Sequence, residues 1–411
     1  MSPDERPLVV VFRTGMASLR EYLVRSIARE YRVHMVVGAD LDWELAYITG
    51  HTTLESSADP RVVLDAVRAV DAREHVSGVV CWDEARIAQT AVVTTEMGLP
   101  GPTPDVIAGC RDKWLTRQRL GAGGVPQPRS MRVGDPGSAL AAAAELGYPV
   151  ILKPSDLSSS MGVVRVDDPD DLTAHFGYAY GVQGGLPGYQ AQVLLEEYVD
   201  GLEISIDAAV YRGRVVPLVL ARKELGYPPY CVEVGHTVHA GDPLRDDPEL
   251  LALLEDAHKA LGFTDGITHT EIKLSPDGPK VIEVNGRLGG GMIPYLGLLA
   301  TGVDTGLAAA DVACGREPRT APDQALVAGI RFFFVAEDET LISSIAFDRD
   351  ALPPQIDSTA IFVEPGDVRS RPPHGTIEAR IAYAIAVADD ADGCARALDA
   401  AGAALRINVP G

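Results

Sequence analysis

Four side chains in the stretch Thr268–Arg287, THTEIKLSPDGPKVIEVNGR, have the types and spacing to do chemistry: Glu271, Glu283, Asn285 and Arg287. Two strand-like runs, THTEIKL and KVIEVN, flank a Ser-Pro-Asp-Gly-Pro connection with the composition of a tight hairpin turn. A hairpin symmetric about Asp277 sets Glu271 opposite Glu283 and His269 opposite Asn285. Side chains two apart share a strand face, so Glu283 and Asn285 point the same way, beside Glu271. Two carboxylates and a carboxamide gathered in an apolar hairpin repel one another unless a positive charge sits among them. A hard divalent cation with oxygen ligands meets that need, Mg2+ first and Mn2+ as the alternative. Arg287 adds a fixed positive charge at the rim, and the cluster reads as a centre for handling phosphate.

Other candidates lie upstream. Lys153 sits in YPVILKPSD, flanked by Val150, Ile151 and Leu152, where a lysine either snorkels out or meets a buried anion. The small-residue loop after it, with Ser158, Ser159, Ser160 and Gly162, can close hydroxyls and backbone N–H groups over a phosphate chain. Lys113, on an earlier basic helix, can supply a second ammonium. Glu196, Glu197, Tyr198 and Val199 form a strand edge entering a turn, with backbone groups suited to an adenine edge, and Glu203 can accept hydrogen bonds from ribose hydroxyls. His236 and His269 titrate near neutral pH and are candidate proton acceptors, although His236, in VEVGHTVHA, reads equally as the surface residue of a strand. The YPPY run at Tyr227–Tyr230 and the Arg222-Lys223 pair read as a rigid turn and a solvated basic pair more readily than as a pocket wall.

The elements that must hold these residues follow from hydrophobic patterning. Apolar runs at Leu8–Phe12, Val33–Val37 and Val76–Cys81 alternate with helical spacing over Met16–Glu30 and Asp83–Met97, the pattern of a parallel sheet covered on both faces. The turn Arg13-Thr14-Gly15-Met16 has one glycine where a dinucleotide fingerprint needs three, so NAD is not expected. A basic helix at Arg111–Leu120 opens a second region. Strands at Pro126–Val133, Tyr148–Pro154, Val163–Val166, Val193–Tyr198 and Leu202–Val210 surround an Ala-rich helix, Ser138–Leu146. Gly177–Gly188 reads as an exposed, mobile loop. Helices follow the hairpin at Ile293–Thr301 and Asp304–Cys314. Beyond a polar linker at Arg316–Gln324, strands at Leu326–Ala336, Ala360–Val363 and Ile377–Val387 and a helix at Cys394–Leu405 read as an α+β module of its own. The expected divisions are 1–104, 105–318 with a lid at about 126–197, and 319–411.

Composition narrows the function classes. Among 411 residues, 36 basic and 58 acidic side chains give a net charge of −22. That argues against nonspecific binding to nucleic acid or an anionic membrane, while leaving room for anionic ligands in a local basic pocket. Five scattered cysteines with no CxxC fit reduced thiols better than a disulfide framework or a zinc site. The opening MSPDERPLVVVF is not expected to be a signal peptide, and no apolar stretch reaches the ~20 residues needed to span a bilayer. A cytoplasmic protein is expected.

In this order, Lys113, Lys153, the serine-rich loop, LLEEYVDGLE and VIEVNGRLGGG resemble the ATP-grasp superfamily over about residues 105–315, and Glu283, Asn285 and Arg287 are the specific part. The resemblance implies an ATP-grasp fold preceded by a Rossmann-like domain. It implies that Lys113, Lys153 and the loop Ser158, Ser159, Ser160 and Gly162 bind ATP phosphates. Glu196, Glu197, Tyr198 and Val199 would hold adenine and Glu203 the ribose. Glu271, Glu283 and Asn285 would ligate Mg2+, and Arg287 would stabilise an acyl phosphate, with Gly289, Gly290 and Gly291 close to the bound anion. The RLGGG tail and the stretch GTIEARIAYAIAVADDADGCARAL are similar to those of L-amino acid ligases and related carboxylate–amine ligases. The implied activity joins a carboxylate and an amine, such as two amino acids, with release of ADP and phosphate. Two departures stand out: a serine-rich loop where many relatives are glycine-rich, and His269 where some carry arginine, which leaves it a catalytic or a supporting role. The alternatives are an ATP-grasp carboxylase (no biotin-carrier segment is visible), a purine-pathway ligase, or an ATP-binding regulatory protein, which would have no use for Arg287. A homodimer is the default assembly.

Overall fold

The run LVVVF is apolar at every position because helices cover both faces of the strand it forms. The computed structural model describes residues 5–12, 15–38, 41–55, 59–157, 160–181, 192–374 and 379–409. It begins with β1 (Leu8–Phe12), α1 (Ala17–Glu30), β2 (Arg32–Val37), β3 (Gly50–Thr53), α2 (Pro60–Asp71), β4 (Val76–Cys81) and α3 (Ile87–Met97). The strands form a parallel sheet in the order β3-β2-β1-β4. Val9 and Val11 pack with Leu23 and Ile27 of α1, while Leu8 and Val10 pack with Val63 and Val67 of α2 on the other side.

The basic helix expected at Arg111–Leu120 is two helices, α4 (Pro104–Arg111) and α5 (Lys113–Ala122). Asp112 breaks it: its carboxylate caps α5 by accepting from the N–H groups of Trp114 and Leu115 at 2.9 and 3.2 Å. The break puts Lys113 at the first position of α5. Next come β5 (Ser130–Val133), α6 (Pro136–Leu146), β6 (Val150–Pro154), β7 (Val164–Val166), α7 (Pro169–Gly181) and β8 (Val193–Glu197). These strands form a separate antiparallel sheet, order β5-β8-β6-β7, sharing a core with α6 and α7. Gly177–Gly181, expected in a mobile loop, closes α7; the rest of that loop lies outside the described residues.

The chain continues through β9 (Leu202–Tyr211), β10 (Arg214–Gly226), β11 (Val232–His239), α8 (Pro248–Leu261), β12 (Gly266–Ser275), β13 (Gly278–Asn285), α9 (Ile293–Thr301) and α10 (Thr305–Ala313). It ends with β14 (Val327–Phe333), β15 (Thr340–Leu341), β16 (Ser344–Phe347), β17 (Ile356–Ile361), β18 (Val368–Arg369), β19 (Ala382–Ala388), α11 (Ala391–Ala404) and β20 (Leu405–Asn408). One antiparallel sheet of eight strands runs β13-β12-β9-β10-β11-β14-β19-β17, and β15-β18 and β16-β20 form two small pairs. Of the strands after Arg316–Gln324, β14, β19 and β17 extend the sheet that carries the hairpin, since β14 pairs with β11, while the other four pair only among themselves. Helices α9 and α10 seat the parallel-sheet region on this large sheet through a shared core. Among the described residues no single helix is long and apolar enough to cross a membrane; α9 and α10 approach that composition only as a pair bent by 107°.

Candidate active site

The β12–β13 hairpin pairs Glu271 with Glu283 and His269 with Asn285. It reaches that pairing by a route the sequence did not reveal. At the turn Ser275 faces Gly278 and Leu274 faces Pro279, which centres the hairpin between Pro276 and Asp277. The register then shifts by one residue between Glu271 and Ile272, leaving Ile282 as the extra residue of a β-bulge. Without it, Ile282 would stand opposite Glu271. The bulge is what brings the two carboxylates face to face.

One cavity runs between this hairpin, the small antiparallel sheet and the glycine-rich segment after β13. Lys113, Lys153, Ser160, Tyr198, Val199, Glu203, Glu271, Glu283, Asn285 and Arg287 all line it. Gly290 and Gly291 also line it, and Glu196 and Glu197 reach it from β8. Gly162 lies two residues past Ser160 in a left-handed conformation, φ +73°. Ser158 and Ser159 lie outside the described residues.

Lys153 does not snorkel out. It is buried, with its ammonium 2.6 Å from a Glu196 carboxylate oxygen. The Arg117 guanidinium grips the same carboxylate at 2.7 and 3.1 Å, and the Ser130 hydroxyl donates to it at 2.8 Å. Burial pushes Glu196 up, yet the charges of Arg117 and Lys153 outweigh that and hold it down at about 2. The Glu196 side chain is thus a counter-ion. Within the stretch Glu196–Val199, expected to present a nucleobase edge, the backbone N–H groups of Glu197 and Tyr198 already donate to the carbonyls of Arg129 and Pro149.

Across the cavity the charges reverse. Lys223, expected on the solvated surface, is buried on β10 with its ammonium 2.7 Å from Glu203, 2.7 Å from Glu233 and 3.0 Å from Glu271. Burial alone would lower its pKa, but the three carboxylates raise it well above the usual lysine value. Lys113 stands 3.2 Å from Glu283 and 2.5 Å from the Leu157 carbonyl. Among the described residues no three His, Cys, Asp or Glu side chains form a ready-made metal cage. The donor set of two facing carboxylates and an asparagine oxygen instead fits Mg2+ or Mn2+, which keep positions for water and phosphate oxygens. The two lysines provide the positive charge that these crowded carboxylates require.

His269 lies between Asp207, 2.6 Å from Nδ1, and Glu271, 3.5 Å from Nε2. Burial lowers its pKa, but Asp207 and Glu271 outweigh that and push it up to about 9, so the ring is cationic at neutral pH. The other Asp207 oxygen accepts from the Gly289 N–H at 3.1 Å, tying the glycine segment to the histidine. A Cβ on Gly289 would sit 2.7 Å from His269 Nδ1, so only glycine allows this approach. His236 is not a surface residue: it is fully buried on β11, against Gly291, and burial lowers its pKa to about 4, leaving it neutral. Arg287 donates to Glu84 at 2.6 Å, which aims the guanidinium from the parallel-sheet side of the cavity.

Asp207, Lys223, Glu233 and Arg117 were not picked out as site residues from the sequence. The usable signal was a charge inside an otherwise apolar strand run, as in EISIDAAV and LVLARKEL.

Residues 146–294 match the ATP-grasp domain family. The whole chain superposes on the crystal structure of L-amino acid ligase from Bacillus licheniformis with a TM-score of 0.80, covering 99% of this chain and 100% of that one at 21% identity. The chain thus has the fold of that structure, and its residues 146–294 are similar to the ATP-grasp domain. A Sinorhizobium fredii protein, "Uncharacterized protein y4rH", is 32% identical over 76% of this chain and 64% of its own length. Carnosine synthase 1 of Homo sapiens is 28% identical over 58% of this chain and 30% of its own. The chain thus spans less than two thirds of these relatives.

Proposed function

We propose that this protein is an ATP-dependent carboxylate–amine ligase that joins amino acids or similar small molecules through an acyl phosphate. One observation carries the reading: Glu271 facing Glu283, beside Asn285 and Arg287, in the same cavity as Lys113 and Lys153. The likeness to a structure named L-amino acid ligase and a relative named carnosine synthase supports it.

A carboxylate does not react with an amine near neutral pH because its oxygen leaves poorly. Phosphorylation makes it a leaving group, but triphosphate and carboxylate are both anionic. At ~4 Å and an effective dielectric near 20, each pair of unit charges repels by about 4 kcal/mol. Lys113 and Lys153 offset that repulsion at the phosphates, and the Arg287 fork suits the acyl phosphate and the oxyanion that forms on attack. Glu271, Glu283 and Asn285 would hold a divalent ion, which would supply further neutralisation at the phosphate. His269, already protonated, acts as a fixed cation that braces Glu271. His236, neutral, keeps a lone pair able to accept a proton. Leu157 and Ser160 line the cavity and would help keep water from the acyl phosphate. Five free cysteines accord with a reducing compartment such as the cytoplasm.

The test is ADP and phosphate release from Mg2+-ATP with amino acids supplied singly and in pairs. Release that needs two substrates, with hydroxylamine trapping a hydroxamate, supports ligation. ATP binding with no turnover on any pair would point to a regulatory protein instead.

A further inference from the structure

We infer that Arg380 is the anchor for the carboxylate that the product keeps, so that the amine substrate is an α-amino acid recognised by its carboxylate group. The inference rests on the ligase reading. Arg380 stands just before β19 and lines the same cavity as Gly290, Gly291 and Ile293. Its guanidinium carbon lies 3.6 Å from the centroid of the Phe332 ring, which fixes the plane of the fork. Only 10% of the side chain is exposed. A guanidinium has five N–H donors. Here Nη2 donates to the Glu233 carbonyl at 3.1 Å, and Nε is buried without a partner. The nearest Glu233 carboxylate oxygen is 3.8 Å away, beyond hydrogen-bond length. A desolvated cation with unspent donors is costly unless an anion completes it.

The surroundings suit a small zwitterion. Both ring nitrogens of His236 are buried without hydrogen-bond partners, and the ring meets Phe332 edge-on, centroids 6.1 Å apart. Gly291, which lines the cavity, packs directly against that ring, since a Cβ there would stand 2.4 Å from His236 Nε2. Arg380 has no ionic contact with Glu271, Glu283 or Arg287. The chain of ionic contacts runs from Arg380 to Glu233, to Lys223, and only then to Glu271. The carboxylate being phosphorylated must meet Arg287 and the Glu271–Glu283 pair, so the anion that completes Arg380 is a second one. An α-amino acid held there by its carboxylate leaves its amine free to point back along the cavity.

The test compares binding of a panel of L-amino acids with their α-carboxamides, in the presence of Mg2+ and a nonhydrolysable ATP analogue, for wild type, Arg380→Gln and Arg380→Lys. Wild type should bind at least one amino acid roughly 10²-fold tighter than its amide. Arg380→Gln should bring that ratio to about 1, and Arg380→Lys should keep the charge yet restore only part of it. Melting temperature and analogue affinity report whether each variant folds; if Arg380→Gln does not, Arg380→Lys carries the test. In turnover, the KM for the amine substrate should rise and that for ATP should hold. Equal wild-type binding of acid and amide, an unchanged ratio in the variants, or a KM effect confined to the activated acid would overturn the inference. Absence of turnover on any pair with the binding ratio intact would strike the ligase reading and leave Arg380 as a carboxylate subsite.

Discussion

Two buried ionic clusters face each other across the cavity, built from the same ingredients with the signs exchanged. On the small-sheet side a carboxylate, Glu196, is surrounded by Arg117 and Lys153. On the large-sheet side an ammonium, Lys223, is surrounded by Glu203, Glu233 and Glu271. The first cluster carries a surplus of positive charge and the second a surplus of negative charge. A nucleotide bound with a divalent ion is itself such a dipole, anionic in its phosphates and cationic at the metal. The difference teaches that each cluster is completed by the opposite end of one ligand.

The largest effect should come from removing the metal donors. Glu283→Gln, or chelation of divalent ions, should lower ADP release by roughly 10³-fold or more, with the nucleotide still bound through the lysine side. Arg287→Ala should cost roughly 10²–10³ in rate, and a near-normal rate would make ligation hard to maintain. Stability measurements then probe the clusters themselves. Glu196→Ala strands two buried cations and should cost about 3–5 kcal/mol in denaturant unfolding, a loss that Mg2+ does not restore. Lys223→Met strands three carboxylates and should cost a similar amount, but here added Mg2+ should recover part of the loss. Equal Mg2+ responses in the two variants would erase the contrast.

The smallest effect is a pH dependence. Glu196 is held at about 2 in the folded chain against an ordinary 4.5. Its lowered value means that its contribution is fully present above about 4.5 and is lost as pH falls through 2. The stability gap between wild type and Glu196→Gln should therefore narrow over that window. A gap independent of pH would mean that the Arg117 and Lys153 charges do not act on this carboxylate as the geometry requires.

Much of the site was legible because it is local. Glu271, Glu283, Asn285 and Arg287 sit in or just beyond one hairpin, where strand periodicity puts Glu283 and Asn285 on one face. The symmetric axis at Asp277 found the right partners because the offset turn and the bulge compensate each other. Lys153 was legible as a question, and only the tertiary pairing with Glu196 and Arg117 answers it. Lys223, Asp207 and His236 were obscured for one reason: β9, β10 and β11 are interior strands of an eight-stranded sheet. A single sequence does not show which strands are interior, so a lone charge there reads as surface. The continuity of β14 with β11 was hidden in the same way, since the polar linker before β14 carries the signature of a boundary.

The extra residue at Ile282 gives the hairpin a parity. Counting from the turn, the regular register sets the fifth residue of β13 opposite Glu271, and Glu283 is the sixth, so losing one residue lets Glu283 take that place without a bulge, while losing two carries it opposite Ile272 on the other face. Deleting Ile282 should therefore spare the pairing of the two carboxylates, whereas a two-residue trim before Glu283 should silence the centre even if the strands still pair.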